Sequence, residues 1–187
     1  MNALTKSAVA AAVLVVPVAV ETLVRSDNLG RWAHGVFAAS QLAGWTLLLS
    51  LSRLLASRAG GSRWGSRLVQ AGCVLQVVFA VGYGITALVR GEPFEGMFVA
   101  FLLGFLALTA GGLIWGIRLL RAHRAAPAGT GLLAVAVSGF LAVAVGVDPF
   151  HDIFLLSSYV AWVAVGLGVD RSSTEREEEV LVSDGSR

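Results

Sequence analysis

Few side chains in this sequence can do chemistry, and most of those recur at one spacing. His34 and Gln41, Gln76 and Tyr83, His151 and Ser158, and Asp152 and Tyr159 each stand seven residues apart. On a helix that step is about two turns and roughly 10 Å of rise, so each pair forms a polar stripe along one face. Two uses compete for such stripes. They can bond helix to helix, which contributes about 0.6 kcal/mol per contact in measured membrane cases. Otherwise they line a polar cavity that receives a proton, an ion, a lipid headgroup or a small ligand. Glu21 lies four residues after Pro17 and four before Arg25. It either pairs with Arg25 across one turn or serves as a functional carboxyl near the carbonyl that Pro17 leaves unbonded.

No catalytic constellation can be assembled around these groups. The chain carries no Walker loop, HExxH, GxSxG or CxxC pattern. Two histidines with carboxylates would be a legal zinc set, but no spacing demands one, and no metal or other cofactor is expected. An acid-initiated reaction on a lipid or isoprenoid substrate needs only one protonated carboxyl in an aromatic-lined pocket. Glu21 would be that acid, with Phe37, Phe79, Tyr83, Phe98, Phe154 and Tyr159 as lining. Cys73 stands alone in an apolar run and reads as a small buried residue.

The elements that must position these residues are set by composition. Of the 187 residues 56% are hydrophobic and 14% charged, and mean hydropathy is +0.77. Soluble domains carry roughly a quarter charged residues, so a soluble enzyme, a disulfide-stapled secreted domain and a nucleic-acid binder are excluded. The expected fold class is all-α: a polytopic integral membrane protein with six transmembrane helices near 7–24, 33–52, 68–89, 96–117, 128–147 and 151–169. Residues 1–169 make one transmembrane domain, and 170–187 read as a disordered cytoplasmic tail. The apolar start could imitate a secretory signal, but Pro17 spoils the cleavage site after Ala19, so the first span is expected to be retained.

Orientation follows from the basic residues. With the N-terminus inside, the inner face holds Lys6, Arg53, Arg58, Arg63, Arg67, Arg118, Arg121, Arg124, Arg171, Arg176 and Arg187, and the outer face only Arg25, Arg31 and Arg90. This positive-inside split places both termini in the cytoplasm of a plasma-membrane protein. The bias of thirteen Arg to one Lys suggests a bacterial source. The polar stripes then run inward from the outer face. Three segments at that face align without gaps: RWAHGVF (31–37), EPFEGMF (92–98) and DPFHDIF (148–154). They place His34, Glu95 and His151 in equivalent positions, as three two-helix hairpin repeats about an axis along the membrane normal would. Small residues at Gly35, Ala39 and Ala43, and at Gly112 and Gly116, would let helices approach closely, within the chain or between copies.

The expected function is an outward-facing polar site that binds or transports a small ligand, proton or lipid headgroup. Its candidate residues are Glu21, His34, Gln41, Gln76, Tyr83, Glu95, His151, Asp152 and Ser158. The alternative is a non-catalytic membrane subunit or scaffold whose stripes serve packing, and a lipid-modifying enzyme is third. Expected partners are the lipid bilayer, a small-molecule or lipid ligand, and a second copy or membrane partner, without nucleic acid.

Overall fold

The computed structural model describes residues 2–24, 31–60, 62–90, 96–123, 125–145 and 150–185, with backbone alone for 17–24, 31–32, 143, 145, 150–152 and 172–185. It is all-helical: α1 (Ala3–Val24), α2 (Arg31–Ala59), α3 (Arg63–Arg90), α4 (Met97–Arg121), α5 (Ala126–Val145) and α6 (Phe150–Gly185), with no strand among the described residues. Four stretches are long and apolar enough to cross a membrane: Ala33–Ala59, Arg63–Arg90, Met97–Arg121 and Ile153–Arg171. The apolar stretches described in α1 and α5, Ala3–Val16 and Ala126–Ala142, are shorter.

Consecutive helices pack side by side, and α6 returns against α1, so the six form a closed ring with a smaller contact between α2 and α6. Glycines set the seams. A Cβ on Gly72 would stand 2.8 Å from the Gly104 carbonyl oxygen, and one on Gly111 2.7 Å from the Val69 nitrogen, so α3 and α4 touch backbone to backbone. Gly112 and Gly116, the GxxxG step, face the Leu132 and Gly129 carbonyls of α5 and are spent within the chain. On α2 the small-residue ridge divides: Gly35 faces Leu88 of α3, whereas Ala39 and Ala43 are exposed. The ring interior is filled by Trp45, Phe105, Trp115, Tyr159 and Trp162, all buried.

The turns explain why the helices stop where they do. Gly60 takes φ +64°, a left-handed conformation that ends α2 cheaply only as glycine. Ser62 then caps α3, its Oγ accepting from the Gly65 N–H at 3.1 Å. From α4 the Trp115 indole donates to the Gly60 carbonyl at 3.0 Å and fixes that turn.

One contact ties the start of α1 to α6. Both carboxylate oxygens of Asp170 in α6 accept from the first turn of α1, from the Ala3 N–H at 3.0 Å and the Leu4 N–H at 2.9 Å. These donors have no intrahelical partner, and the positive end of the helix dipole favours the anion. Asp170→Ala is therefore expected to lower stability by about 1–2 kcal/mol, read as thermal unfolding in detergent. Asp170→Asn, which keeps an acceptor, should lose less. An alanine variant as stable as wild type would mean the cap contributes nothing.

Beyond Asp170 the helix continues. It runs through Gly185, over a stretch that includes the helix-forming Glu, Arg and Leu.

Candidate functional site

The stripes of α2 and α3 lie on facing helices. α2 and α3 run antiparallel and close together because Gly84 offers no side chain to Ala38 and Gly35 none to Leu88. That approach brings His34, in the first turns of α2, to Tyr83 near the far end of α3. His34 Nδ1 and the Tyr83 hydroxyl are hydrogen-bonded at 2.7 Å, the imidazole tautomer deciding which group donates. Both residues are half-buried. Phe37 and Phe79 pack on the Tyr83 ring at centroid distances of 5.4 and 5.6 Å.

Below this pair an aromatic column descends through Phe79, Phe101 and Phe105 to Trp45 and Tyr159. Gln41, one stripe step below His34, is 2% exposed. Its Oε1 accepts from the Trp45 indole at 3.0 Å. The Tyr159 ring of α6 brings its hydroxyl to the Gln41 amide, yet Nε2 completes no hydrogen bond. Gln76, one step below Tyr83, donates through Nε2 to the Phe101 carbonyl at 3.0 Å, and its buried Oε1 has no partner. Trp162 Nε1, a turn below Ser158 on α6, is also buried without a partner. A buried amide or indole group without a partner costs about 1–3 kcal/mol, so Gln76 Oε1 and Trp162 Nε1 are polar capacity that packing among the described residues does not use. Ser158 and Thr109, by contrast, reach the carbonyls of Val135 and Ala136 on α5 at 3.5 Å and serve contact between helices.

The structure thus brings His34 to Tyr83, and Gln41 to Trp45 and Tyr159. Ser158 faces α5 and Gln76 faces α4. The backbones of Glu21, His151 and Asp152 lie in α1 and α6, their side chains outside the described set, and Glu95 lies outside the described residues. Whether Glu21 meets a histidine, and whether His34, Glu95 and His151 share a depth, therefore falls outside what is described. Trp45, Phe101, Phe105 and Trp162 were missed as site-forming residues. Trp45 alone carried a usable signal, one turn after Gln41 on the same face.

Chemically the arrangement offers an imidazole–phenol pair able to take up or pass on a proton, and amide groups able to give and accept hydrogen bonds. Among the described residues no three His, Cys, Asp or Glu side chains gather as a metal site would require. The fold and this cluster define a bundle of six helices, four of them long and apolar enough to cross a membrane, with a polar pair at the end opposite most of the arginines. No family model matches the chain, and neither a curated protein nor a solved structure matches it.

Proposed function

We propose that the protein is a six-span plasma-membrane protein whose outer end binds or transports a small ligand, proton or lipid headgroup through the cluster headed by His34 and Tyr83. The observation that carries the site is the polarity buried beneath that pair: the Gln41 amide, between the Trp45 indole and the Tyr159 hydroxyl, and Gln76 Oε1, an acceptor buried without a partner among the described residues. Groups that served packing alone would have found partners, as buried polar groups overwhelmingly do.

Membrane residence is supported by an inversion of the soluble pattern. The exposed faces carry Val78, Val81, Ile85, Leu102, Leu106, Ile114 and Val160, while the seams between helices carry Gly and Ala. Large apolar side chains outward and small ones between helices suit a bilayer, where packing rather than water exclusion holds helices together. Orientation is supported by the end at which Ala3 meets Asp170 and Gly60 meets Trp115. Lys6, Arg53, Arg58, Arg63, Arg67, Arg118, Arg121 and Arg171 gather there, as a cytoplasmic face would have them. Both termini are then cytoplasmic, in what we read as a bacterial membrane. The ring order of three successive hairpins is compatible with the proposed repeat, although the α2–α6 contact has no counterpart of like extent among the described residues.

A second reading is favoured by a specific set of bonds. Ser158 to Val135, Thr109 to Ala136 and Gln76 to Phe101 join neighbouring helices, as in a non-catalytic subunit or scaffold. Mass spectrometry of lipids and metabolites retained by the detergent-purified protein separates the two. Wild type is expected to carry a discrete small molecule, with His34→Ala and Tyr83→Phe holding about a tenth or less, the loss of roughly one strong hydrogen bond. Equal retention by the variants would overturn the assignment to this cluster. A wild type that carries nothing favours the subunit.

A further inference from the structure

Among the described side chains, the arginine-rich end is unbalanced in charge. Arg53, Arg63, Arg67, Arg118, Arg121 and Arg171 are all exposed there. Among residues with described side chains the one carboxylate is Asp170, whose two oxygens are turned to the α1 backbone. Two of the arginines are placed against local electrostatics. Arg63 opens α3 and Arg67 follows one turn later, at the end of the helix where the macrodipole is positive and a cation is disfavoured. The dipole of α3 gains nothing from them there. It does make a helix N-terminus flanked by guanidinium groups, which is a strong setting for a phosphate anion.

The turn that presents them is held firmly, by the left-handed Gly60, the Ser62 cap and the Trp115 indole on the Gly60 carbonyl. Between the two arginines Trp64 stands 72% exposed, and the Arg67 guanidinium carbon lies 6.0 Å from its ring centroid. An exposed indole beside arginines suits a headgroup boundary. The ring seats at the edge of the acyl region while the guanidinium fork takes a phosphate in two hydrogen bonds. Gly65 packs directly on Trp115, so the end of α4, with Arg118 and Arg121, lies alongside.

We infer that the α2–α3 turn and the adjoining end of α4 form a binding surface for anionic phospholipid headgroups of the inner leaflet, centred on Arg63, Trp64 and Arg67. This site is separate from the His34–Tyr83 cluster and rests on the six-span reading. The occupant is lipid rather than free phosphate, because the exposed indole gives an acyl chain something to pack on.

The test is native mass spectrometry of the full chain released from nanodiscs containing equal parts of phosphatidylcholine and phosphatidylglycerol. Wild type should retain phosphatidylglycerol in preference to phosphatidylcholine. R63Q/R67Q should lose that preference by about fivefold per arginine removed, whereas R63K/R67K, which keeps the charge but not the fork, should fall between the two. Trp64→Ala should weaken lipid retention while leaving the charge on the surface unchanged. Equal binding of the two lipids, an unchanged preference in R63Q/R67Q, or displacement of the lipid by millimolar inorganic phosphate would overturn the inference. Insertion into pure phosphatidylcholine nanodiscs is the control. A chain that fails to insert there overturns the membrane reading as well, whereas one that inserts without lipid preference overturns only this site.

Discussion

Gly111→Leu is expected to be among the most damaging single substitutions in the molecule, costing about 3 kcal/mol or more. Its Cβ alone would lie 2.7 Å from the Val69 nitrogen and 2.8 Å from the Gly65 carbonyl oxygen. Those atoms are backbone on a neighbouring helix, so the side chain cannot be accommodated by a rotamer change, and α3 and α4 must separate. Overpacking of this kind typically costs 1–3 kcal/mol and sometimes more. Replacing glycine gains about 1 kcal/mol of helix propensity, which the clash exceeds. Two comparisons isolate the cause. Gly60→Ala has open space around it but φ +64°, so about 1 kcal/mol of left-handed strain is expected. Ala39→Leu, on the exposed side of α2, should change stability by no more than about 0.5 kcal/mol. Thermal unfolding of the three variants in one detergent checks the order. A Gly111→Leu protein as stable as Ala39→Leu would mean the seam is not closed as described.

The helices were legible in the sequence and their contacts were not. All six expected spans coincide with helices, because an uninterrupted apolar run long enough to bury its own backbone bonds has few other structures open to it. Helix ends were less legible. α2 runs on to Ala59, well past the expected boundary at 52, and α3 begins at Arg63, before the expected 68. The intervening Arg, Leu, Ser and Ala residues are compatible with helix even where hydropathy falls. Which glycine faces which helix could not be read, since these helices are apolar on every side and periodicity carries no direction. Gly112 and Gly116 illustrate this: the motif was visible, its use inside the chain was not.

The candidate site shows the same division. Seven-residue spacing put His34 on one face with Gln41 and Gln76 on one face with Tyr83; that His34 would meet Tyr83 across α2 and α3 was not in the spacing. That Gln76 would turn to α4, and Ser158 to α5, depended on helix rotation that no local pattern encodes. Asp170 is the clearest loss. In sequence it opens a polar tail, and its partner Ala3 stands 167 positions away.

The largest all-or-none signal is expected from topology, and it tests the central claim. Six spans with the arginine-rich end inside require that a reporter at the α2–α3 turn, after residue 62, and one after residue 187 both give cytoplasmic signal. A reporter near residue 91, between α3 and α4, must then give the opposite signal. The expectation rests on the ring geometry, which puts the start of α1, the α2–α3 turn, the α4 end and Asp170 on one side, and on the cost of carrying clustered arginines across a bilayer, about 2.5–3.5 kcal/mol each at its centre. A removed first span would leave the other signals unchanged, so N-terminal mass determination of the purified chain accompanies the fusions. Inside signals at 62 and 187 with an outside signal at 91 are the predicted result. An outside signal at 187, or the same signal at 62 and 91, would contradict the account.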